Sequence, residues 1–304
     1  MFLFVSAQKN DIQEAKSGHK KAKYPKTQNS FLSLPEKKQS MFNFFCKPKY
    51  VVRGPQGGIS TKITLPEGFC PETDKCPMAV LMHGFMACKR WKPISSLAKE
   101  LAKAGIASIS FDFDAHGKSE GKFIDMIISS EIADAQAVAE YARKLPYVSA
   151  LYFIGHSQGA VVAGMLAGKL AGQGSAPQAL VLLAPAAVLK DDAIKGQCMN
   201  ARYDASNPPA YVNVMFHKLG RKFILEAQKL PIYETSSAYK GPVCILHGTA
   251  DKIVPLEYAE RYHEIYPGST LKILQGESHM MTSKEIPALC TDYLCSFSTD
   301  ALIF

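Results

Sequence analysis

Short apolar runs alternate with amphipathic segments from about residue 48 onward. The apolar runs predict strands at residues 77–84, 106–113, 150–156, 179–185, 242–248 and 269–276. Apolar residues at helical spacing predict helices at residues 94–105, 129–145, 256–266 and 284–297, and one more that begins at Ser157. Short, almost continuously apolar strands separated by helices are typical of a mostly parallel sheet covered on both faces. We therefore predict a doubly wound α/β fold.

This alternation is interrupted once, between the strands at 179–185 and 242–248. Residues 186–241 contain no clear strand but carry several aromatic and methionine side chains. A long insertion in a compact domain is usually functional or disordered. The apolar content favours a folded, mostly helical cap on a domain that we place at residues 46–304.

The basic charge of the chain is concentrated near its start. The net charge is +8 over 304 residues, but residues 1–45 hold eight lysines against three acidic residues, a net +5 that leaves +3 downstream. These residues show no apolar periodicity, and we predict a disordered basic tail. Because the charge lies in this tail, it does not indicate a nucleic-acid-binding domain.

The first residues leave two interpretations of the compartment open. Residues 1–7 end in small side chains spaced as at a signal-peptidase site, which would fit the end of a truncated signal peptide on an exported protein. Alternatively, Met41 is the true start. Eight scattered cysteines without a CxxC pair favour reduced thiols, and therefore this second interpretation and a cytoplasmic protein.

Several other classes of function find no support in the sequence. No apolar run approaches the ~20 residues that span a bilayer, so we expect no membrane segment. Metal-ligand spacings and the glycine motifs of phosphate and dinucleotide sites are missing, so we predict neither a metal nor a cofactor.

The segment LYFIGHSQGAVVAG, residues 151–164, places a serine between two glycines where a strand is predicted to become a helix. A tight turn alone would explain the glycines. The GxSxG pattern in this setting is also that of a nucleophile elbow, which exposes a serine hydroxyl at the top of a sheet. We predict that Ser157 is a nucleophile.

A serine nucleophile needs a histidine base and an acid that orients it. On this topology they should follow in the order acid, then histidine, at the ends of later strands. Asp251 and His279 meet this expectation, although Asp251 could instead cap a helix and His279 could be an ordinary loop residue. Glu277 is an alternative acid, which we expect to be solvated.

The oxyanion of an acyl-transfer reaction needs two backbone donors. One is the N–H after the nucleophile, here that of Gln158, and the other comes from a loop after an early strand. The segment HGF, residues 83–85, ends such a strand, and we predict Phe85 N–H as the second donor. We expect His83 to brace this loop without transferring a proton.

Taken together, the segments HGF, FDFDAHGKSEGKF, GHSQGAVVAGMLAG, LLAPAAVLKDDAIKG, QKLPIYE, PVCILHGTADKIVP and GESHMM resemble the α/β-hydrolase cinnamoyl (feruloyl) esterases of gut bacteria. The resemblance covers about residues 50–297. It implies the α/β-hydrolase fold with an inserted cap, no cofactor, and a small-molecule ester as the partner; a homodimer is left open. It also implies a catalytic triad at Ser157, Asp251 and His279 and oxyanion donors at Phe85 and Gln158.

The resemblance also suggests which cap residues contact the substrate. Asp192 matches a position whose side chain can hold the phenolic end of the acyl group, whereas Met199 and Phe223 stand where polar side chains are expected. We therefore predict a serine esterase for feruloyl-type or other aryl or short-chain acyl esters. A lipase-like or acyl-peptidase-like hydrolase, or a non-catalytic ligand-binding protein on the same scaffold, are the alternatives.

Overall fold

Thirteen strands occur in residues 51–297, the part of the chain that the computed structural model describes. They are β1 (Val52–Gly54), β2 (Gly57–Ile59), β3 (Thr61–Thr64), β4 (Cys76–Met82), β5 (Ala107–Phe111), β6 (Val148–His156), β7 (Ala179–Leu183), β8 (Gln197–Cys198), β9 (Ala201–Arg202), β10 (Tyr211–Val214), β11 (His217–Gly220), β12 (Val243–Gly248) and β13 (Thr270–Leu274). Seven of them form the central sheet, in the order β13-β12-β7-β6-β4-β5-β3. All neighbours are parallel except β3 and β5.

Five helices cover the two faces of this sheet. They are α1 (Ile94–Lys103), α2 (Ile128–Arg143), α3 (Gln158–Ala171), α7 (Glu257–Ile265) and α8 (Glu285–Cys295). One apolar layer contains α1 and α8, and the other contains α2, α3 and α7. Within β4, Val80 packs into one layer and its neighbour Leu81 into the other, which is why the strand is apolar throughout. The doubly wound α/β fold is confirmed, with each predicted strand and helix of the domain within two residues of its observed ends.

The segment between β7 and β12 differs from its prediction. It contains three short helices, α4 (Val188–Ile194), α5 (Arg221–Ala227) and α6 (Ile232–Ser236), but also two antiparallel hairpins, β8–β9 and β10–β11. The expectation that this segment contains no strand is therefore wrong, although its helices still contain more residues than its strands. In β10, Val212 and Val214 are buried while Tyr211 and Asn213 are exposed, a strand alternation over only four residues.

The three strands that precede β4 were not predicted. β1 and β2 form a separate hairpin, and β3 adds an antiparallel edge to the sheet. The predicted tail at residues 1–45 and the proposed start at Met41 lie outside the described residues. Among the residues that are described, no helix combines the length and the apolar character that crossing a bilayer requires.

Candidate active site

Ser157 occupies the sharp turn between β6 and α3. Its backbone has φ 57° and ψ −122°, a conformation that side-chain-bearing residues rarely adopt. A Cβ on Gly155 would overlap the backbone of Gly159 and Ala160, and one on Gly159 would overlap the carbonyl oxygens of Met82 and His83. Both glycines are therefore required by close backbone packing. The turn presents the serine at the carboxyl edge of the parallel strands, where open α/β sheets bind ligands.

The structure brings Ser157 together with the two distant residues that sequence order assigned to it. His279, in the loop after β13, places Nε2 2.9 Å from Ser157 Oγ. The Nδ1 of the same ring lies 2.7 Å from Oδ2 of Asp251, which follows β12. The side chains of His279 and Asp251 are buried, so solvent does not compete for these hydrogen bonds.

Asp251 is held as an ionised acceptor. Its Oδ1 accepts the backbone N–H groups of Ile253 and Val254, each at 2.8 Å. Burial by itself would raise the pKa of Asp251, but the hydrogen bonds from His279 and from these two N–H groups outweigh it and lower the pKa. Since a carboxylate can only accept, the proton of neutral His279 resides on Nδ1. Nε2 is then free to accept the Ser157 hydroxyl proton.

His156 fixes the backbone that carries His279. Its Nε2 lies 2.8 Å from the carbonyl oxygen of His279, and the two ring centroids are 5.3 Å apart. Burial lowers the pKa of His156 to about 4, so at neutral pH an uncharged ring donates to that carbonyl. No role for this residue is predicted from the sequence. Its position directly before the serine of GxSxG was the only available signal.

The two predicted oxyanion donors flank the serine. Gly84 comes so close that a Cβ there would lie 2.9 Å from the Cβ of Ser157, which brings the adjacent Phe85 to the same cavity. Within residues 51–297, the backbone N–H groups of Phe85 and Gln158 have no hydrogen-bond acceptor. Two unengaged donors beside a serine can stabilise a negative oxygen. Their role as an oxyanion hole stays a prediction.

Neighbouring side chains support both donor loops. The His83 ring accepts Phe113 N–H at Nε2 (3.1 Å) and contacts the Gly84 carbonyl through Nδ1 (2.8 Å). Burial lowers the pKa of His83 to about 3, which keeps the ring neutral, as bracing requires. On the other side, Gln158 Nε2 donates to Oε2 of the buried Glu131 at 2.8 Å.

A cavity of about 670 Å³ opens above Ser157 and His279. The three predicted substrate contacts, Asp192, Met199 and Phe223, all line it. Phe223 is buried, with its ring centroid 6.1 Å from that of Phe85, whereas Met199 is 44% exposed. Asp192 accepts a 2.5 Å hydrogen bond from the side chain of Gln197. The walls are thus mainly apolar, with one carboxylate–amide pair inside the cap.

The prediction that Glu277 is solvated is wrong. Glu277 is buried rather than solvated, because its Oε1 accepts Thr282 N–H at 3.1 Å and folds the side chain inward. The nearer carboxylate to the His279 ring is nevertheless that of Asp251. Among the described residues, no group of three or more His, Cys, Asp or Glu side chains is arranged to hold a metal ion.

The chain is similar to known hydrolases in sequence. Residues 74–203 match the family described as serine aminopeptidase, S33. Human protein ABHD12B is 28% identical over 192 residues, which cover 63% of this chain and 50% of that protein. Zebrafish lysophosphatidylserine lipase ABHD12 is 25% identical over 194 residues, or 62% and 47% of the two chains. The chain therefore spans about half the length of these curated relatives.

The fold is also similar to that of a solved bacterial protein. The structure of Est1E from Butyrivibrio proteoclasticus with bound ferulic acid superimposes with a TM-score of 0.72 and 27% sequence identity. The similarity covers 80% of this chain and 95% of the bacterial one.

Proposed function

Because the chain belongs to the α/β-hydrolase superfamily, we propose that it is a serine hydrolase that cleaves carboxylic esters through Ser157, His279 and Asp251. One observation carries the proposal. An unbroken hydrogen-bonded chain runs from Ser157 Oγ through the His279 ring to the Asp251 carboxylate, beneath an apolar cavity. In that arrangement a base can take the hydroxyl proton of the serine at neutral pH. An isolated serine has no such base.

In the proposed reaction, His279 Nε2 takes the proton of Ser157 while Oγ attacks the ester carbonyl carbon. Asp251 holds the ring in the tautomer that allows this and stabilises the imidazolium that forms. The N–H groups of Phe85 and Gln158 stabilise the developing oxyanion. His279 then protonates the departing alcohol, and a water molecule, activated by the same ring, releases the acid from the acyl-enzyme.

We propose hydroxycinnamoyl (feruloyl-type) or other aryl or short-chain acyl esters as substrates. Aromatic walls at Phe85, Tyr203 and Phe223 favour a planar acyl group, and the Asp192–Gln197 pair offers a partner for a phenolic hydroxyl. The similarity to a protein solved with ferulic acid supports the same class.

A lipase-like activity is the second candidate. It is favoured by the similarity to a protein named as a lysophosphatidylserine lipase and by the exposed Met199, Met215 and Phe216 around the cavity. Flexible methionine side chains can accommodate an aliphatic chain as readily as an aromatic ring.

The test is hydrolysis by the purified full-length chain of methyl ferulate, methyl cinnamate, p-nitrophenyl butyrate and a long-chain monoacylglycerol. Ser157→Ala is the matched variant, because it removes only the hydroxyl oxygen, while the packing of the neighbouring glycines keeps the backbone of the turn in place. We expect it to abolish turnover of every ester that the wild type cleaves, with an unchanged unfolding temperature.

The pattern across the esters decides between the candidates. A preference for ferulate over cinnamate supports phenol recognition by Asp192 and Gln197, and a preference for monoacylglycerol supports the lipase-like activity. Substantial turnover by Ser157→Ala would refute the nucleophile. If the wild type cleaves none of these esters, the non-catalytic alternative takes the place of the proposal.

A further inference from the structure

A second, smaller cavity adjoins the catalytic one. It measures about 280 Å³ and lies between α1 and the start of α8. Lys92 lines both cavities, and the loop beyond His279 contributes Met280 to the first and Thr282 to the second. The two cavities therefore share one side chain and one loop, on the side built by the hydrolase domain rather than by the cap.

The walls of this groove are strongly basic. Four lysines line it, Lys92, Lys99, Lys103 and Lys284, against the single acid Glu100. Glu100 is already paired, because its Oε2 lies 2.9 Å from Lys103 Nζ. Within the described residues, no ion pair is formed by the other three lysines, Lys92, Lys99 and Lys284. We call the surface that these three side chains line the lysine groove. Three uncompensated positive charges on one concave surface attract an anion.

Neutral groups in the same groove would add to that attraction. The eleven-residue helix α8 begins at Glu285 beside Lys284, without a side-chain cap on its first N–H groups. Its N-terminus contributes a partial positive charge, which the acidic side chain of Glu285 in the first turn partly offsets. The hydroxyls of Ser96, Thr282 and Ser283 also line the groove, and Ser283 Oγ is buried without a hydrogen-bond partner in the described structure.

The position of the groove relates it to one half of an ester. With the carbonyl carbon at Ser157, the acyl and alcohol halves must extend in different directions along the cavity. The apolar end under the cap, with Phe223 and Tyr203, suits the acyl half. The alcohol half then leaves toward Lys92 and Met280, where the lysine groove begins.

Resting on the proposed ester hydrolysis, we infer that the alcohol half of the substrate carries an anionic group, a phosphate or a carboxylate, that binds in the lysine groove. Neither the triad nor the cap contains information about the alcohol half. Lys252, exposed at the same mouth, adds a further positive charge on the path of the alcohol.

The kinetic test compares three soluble esters of one acyl group, chosen as the best acyl group cleaved in the panel above. The alcohols are glycerol, glycerol 3-phosphate and glycerate, so that they differ in charge and in the kind of anion. The quantity measured is the ratio of kcat/KM for an anionic ester to kcat/KM for the glycerol ester. We expect this ratio to exceed one for the wild type and to fall as salt rises.

The lysine variants assign that preference to the groove. Lys99→Gln and Lys284→Gln should each lower the ratio about two- to five-fold, the range for exposed charge pairs, and the double variant should lower it further. The matched control is Lys169→Gln, which removes the same charge from the last turn of α3, about 17 Å along that helix from its start. It should leave the ratio unchanged.

A binding measurement separates this inference from the proposed function. Trp91 is the only tryptophan in the chain, is 55% exposed and lines the catalytic cavity next to Lys92. Its fluorescence in Ser157→Ala should respond saturably to glycerol 3-phosphate but not to glycerol, and more weakly after Lys99→Gln. Such binding without hydrolysis of any ester would support the anion site while refuting the esterase. Hydrolysis with equal kcat/KM for charged and neutral esters, and no fluorescence response, would overturn the inference.

Discussion

Replacing Asp251 by asparagine tests the catalytic assignment most directly, since the local hydrogen bonds determine how the new amide must sit. Oδ1 of Asp251 accepts two backbone N–H groups, from Ile253 and Val254. Only the carbonyl oxygen of an asparagine can accept them, so its NH₂ group must face His279. Nδ1 of His279 must then accept, which moves the ring proton to Nε2, opposite Ser157 Oγ.

A neutral imidazole protonated at Nε2 cannot take the serine proton, although every heavy atom remains in place. The same tautomer error in serine-protease triads costs ~10⁴ in kcat. We therefore expect Asp251→Asn to lower kcat for p-nitrophenyl butyrate by about that factor, with little change in the unfolding temperature. The assay is steady-state hydrolysis at neutral pH, with thermal unfolding of both proteins measured alongside.

Glu277→Gln is the matched control, because Glu277 is the other buried acid close to His279 in the chain. Its Oε1 accepts Thr282 N–H, a hydrogen bond that the carbonyl oxygen of glutamine can keep. This variant should retain turnover close to that of the wild type. A loss below tenfold in Asp251→Asn, or an equal loss in Glu277→Gln, would refute the assignment of the orienting acid.

Two further predictions concern stability. A Cβ at Gly159 would overlap the carbonyl oxygens of Met82 and His83, so Gly159→Ala should lower the free energy of unfolding in urea by about 1–3 kcal/mol or more; an unchanged value would contradict the packing. Burial and the nearby Asp114 raise the pKa of Asp134 from 3.8 to about 8. The unfolded chain thus loses this proton at lower pH than the folded one, and stability is lost as pH rises from about 4 to 8. Asp134→Asn removes that penalty. The free energy of unfolding of this variant should therefore exceed that of the wild type, and the difference should be larger at pH 8 than at pH 4.

The central sheet could be predicted from sequence because both of its faces are covered. In such a sheet each strand is apolar at every position, as in β4, where Val80 and Leu81 enter opposite layers. The hairpin β10–β11 escaped notice for the opposite reason. It has one exposed side, its buried positions in β10 are only Val212 and Val214, and four residues give too short an alternation to read.

Part of the candidate site could likewise be predicted from the sequence, and part depends on contacts between residues far apart in the chain. The positions of Ser157, Asp251 and His279 follow from chain order, because each lies just after a strand whose carboxyl end meets the same edge of the sheet. The hydrogen bond between His156 and the His279 carbonyl joins residues 123 positions apart. Apart from the position of His156 directly before Ser157, nothing near either residue along the chain indicates this hydrogen bond.

Glu131 shows why the polar pattern of a helix misleads a prediction of burial near the carboxyl edge of the sheet. It and Asp134 lie three positions apart on α2, a spacing and composition typical of a solvated helix face. Both side chains are instead buried, and burial raises the pKa of Glu131 well above its usual range. Glu131 accepts the Gln158 amide, and Asp134 accepts Asp114 N–H at 2.7 Å, so these acids serve as hydrogen-bond partners beside the nucleophile turn. Burying such acids carries a cost, since Asp134 Oδ1 has no hydrogen-bond partner in the described structure. Sequence patterns that equate charge with solvent miss acids that a helix buries against a catalytic edge.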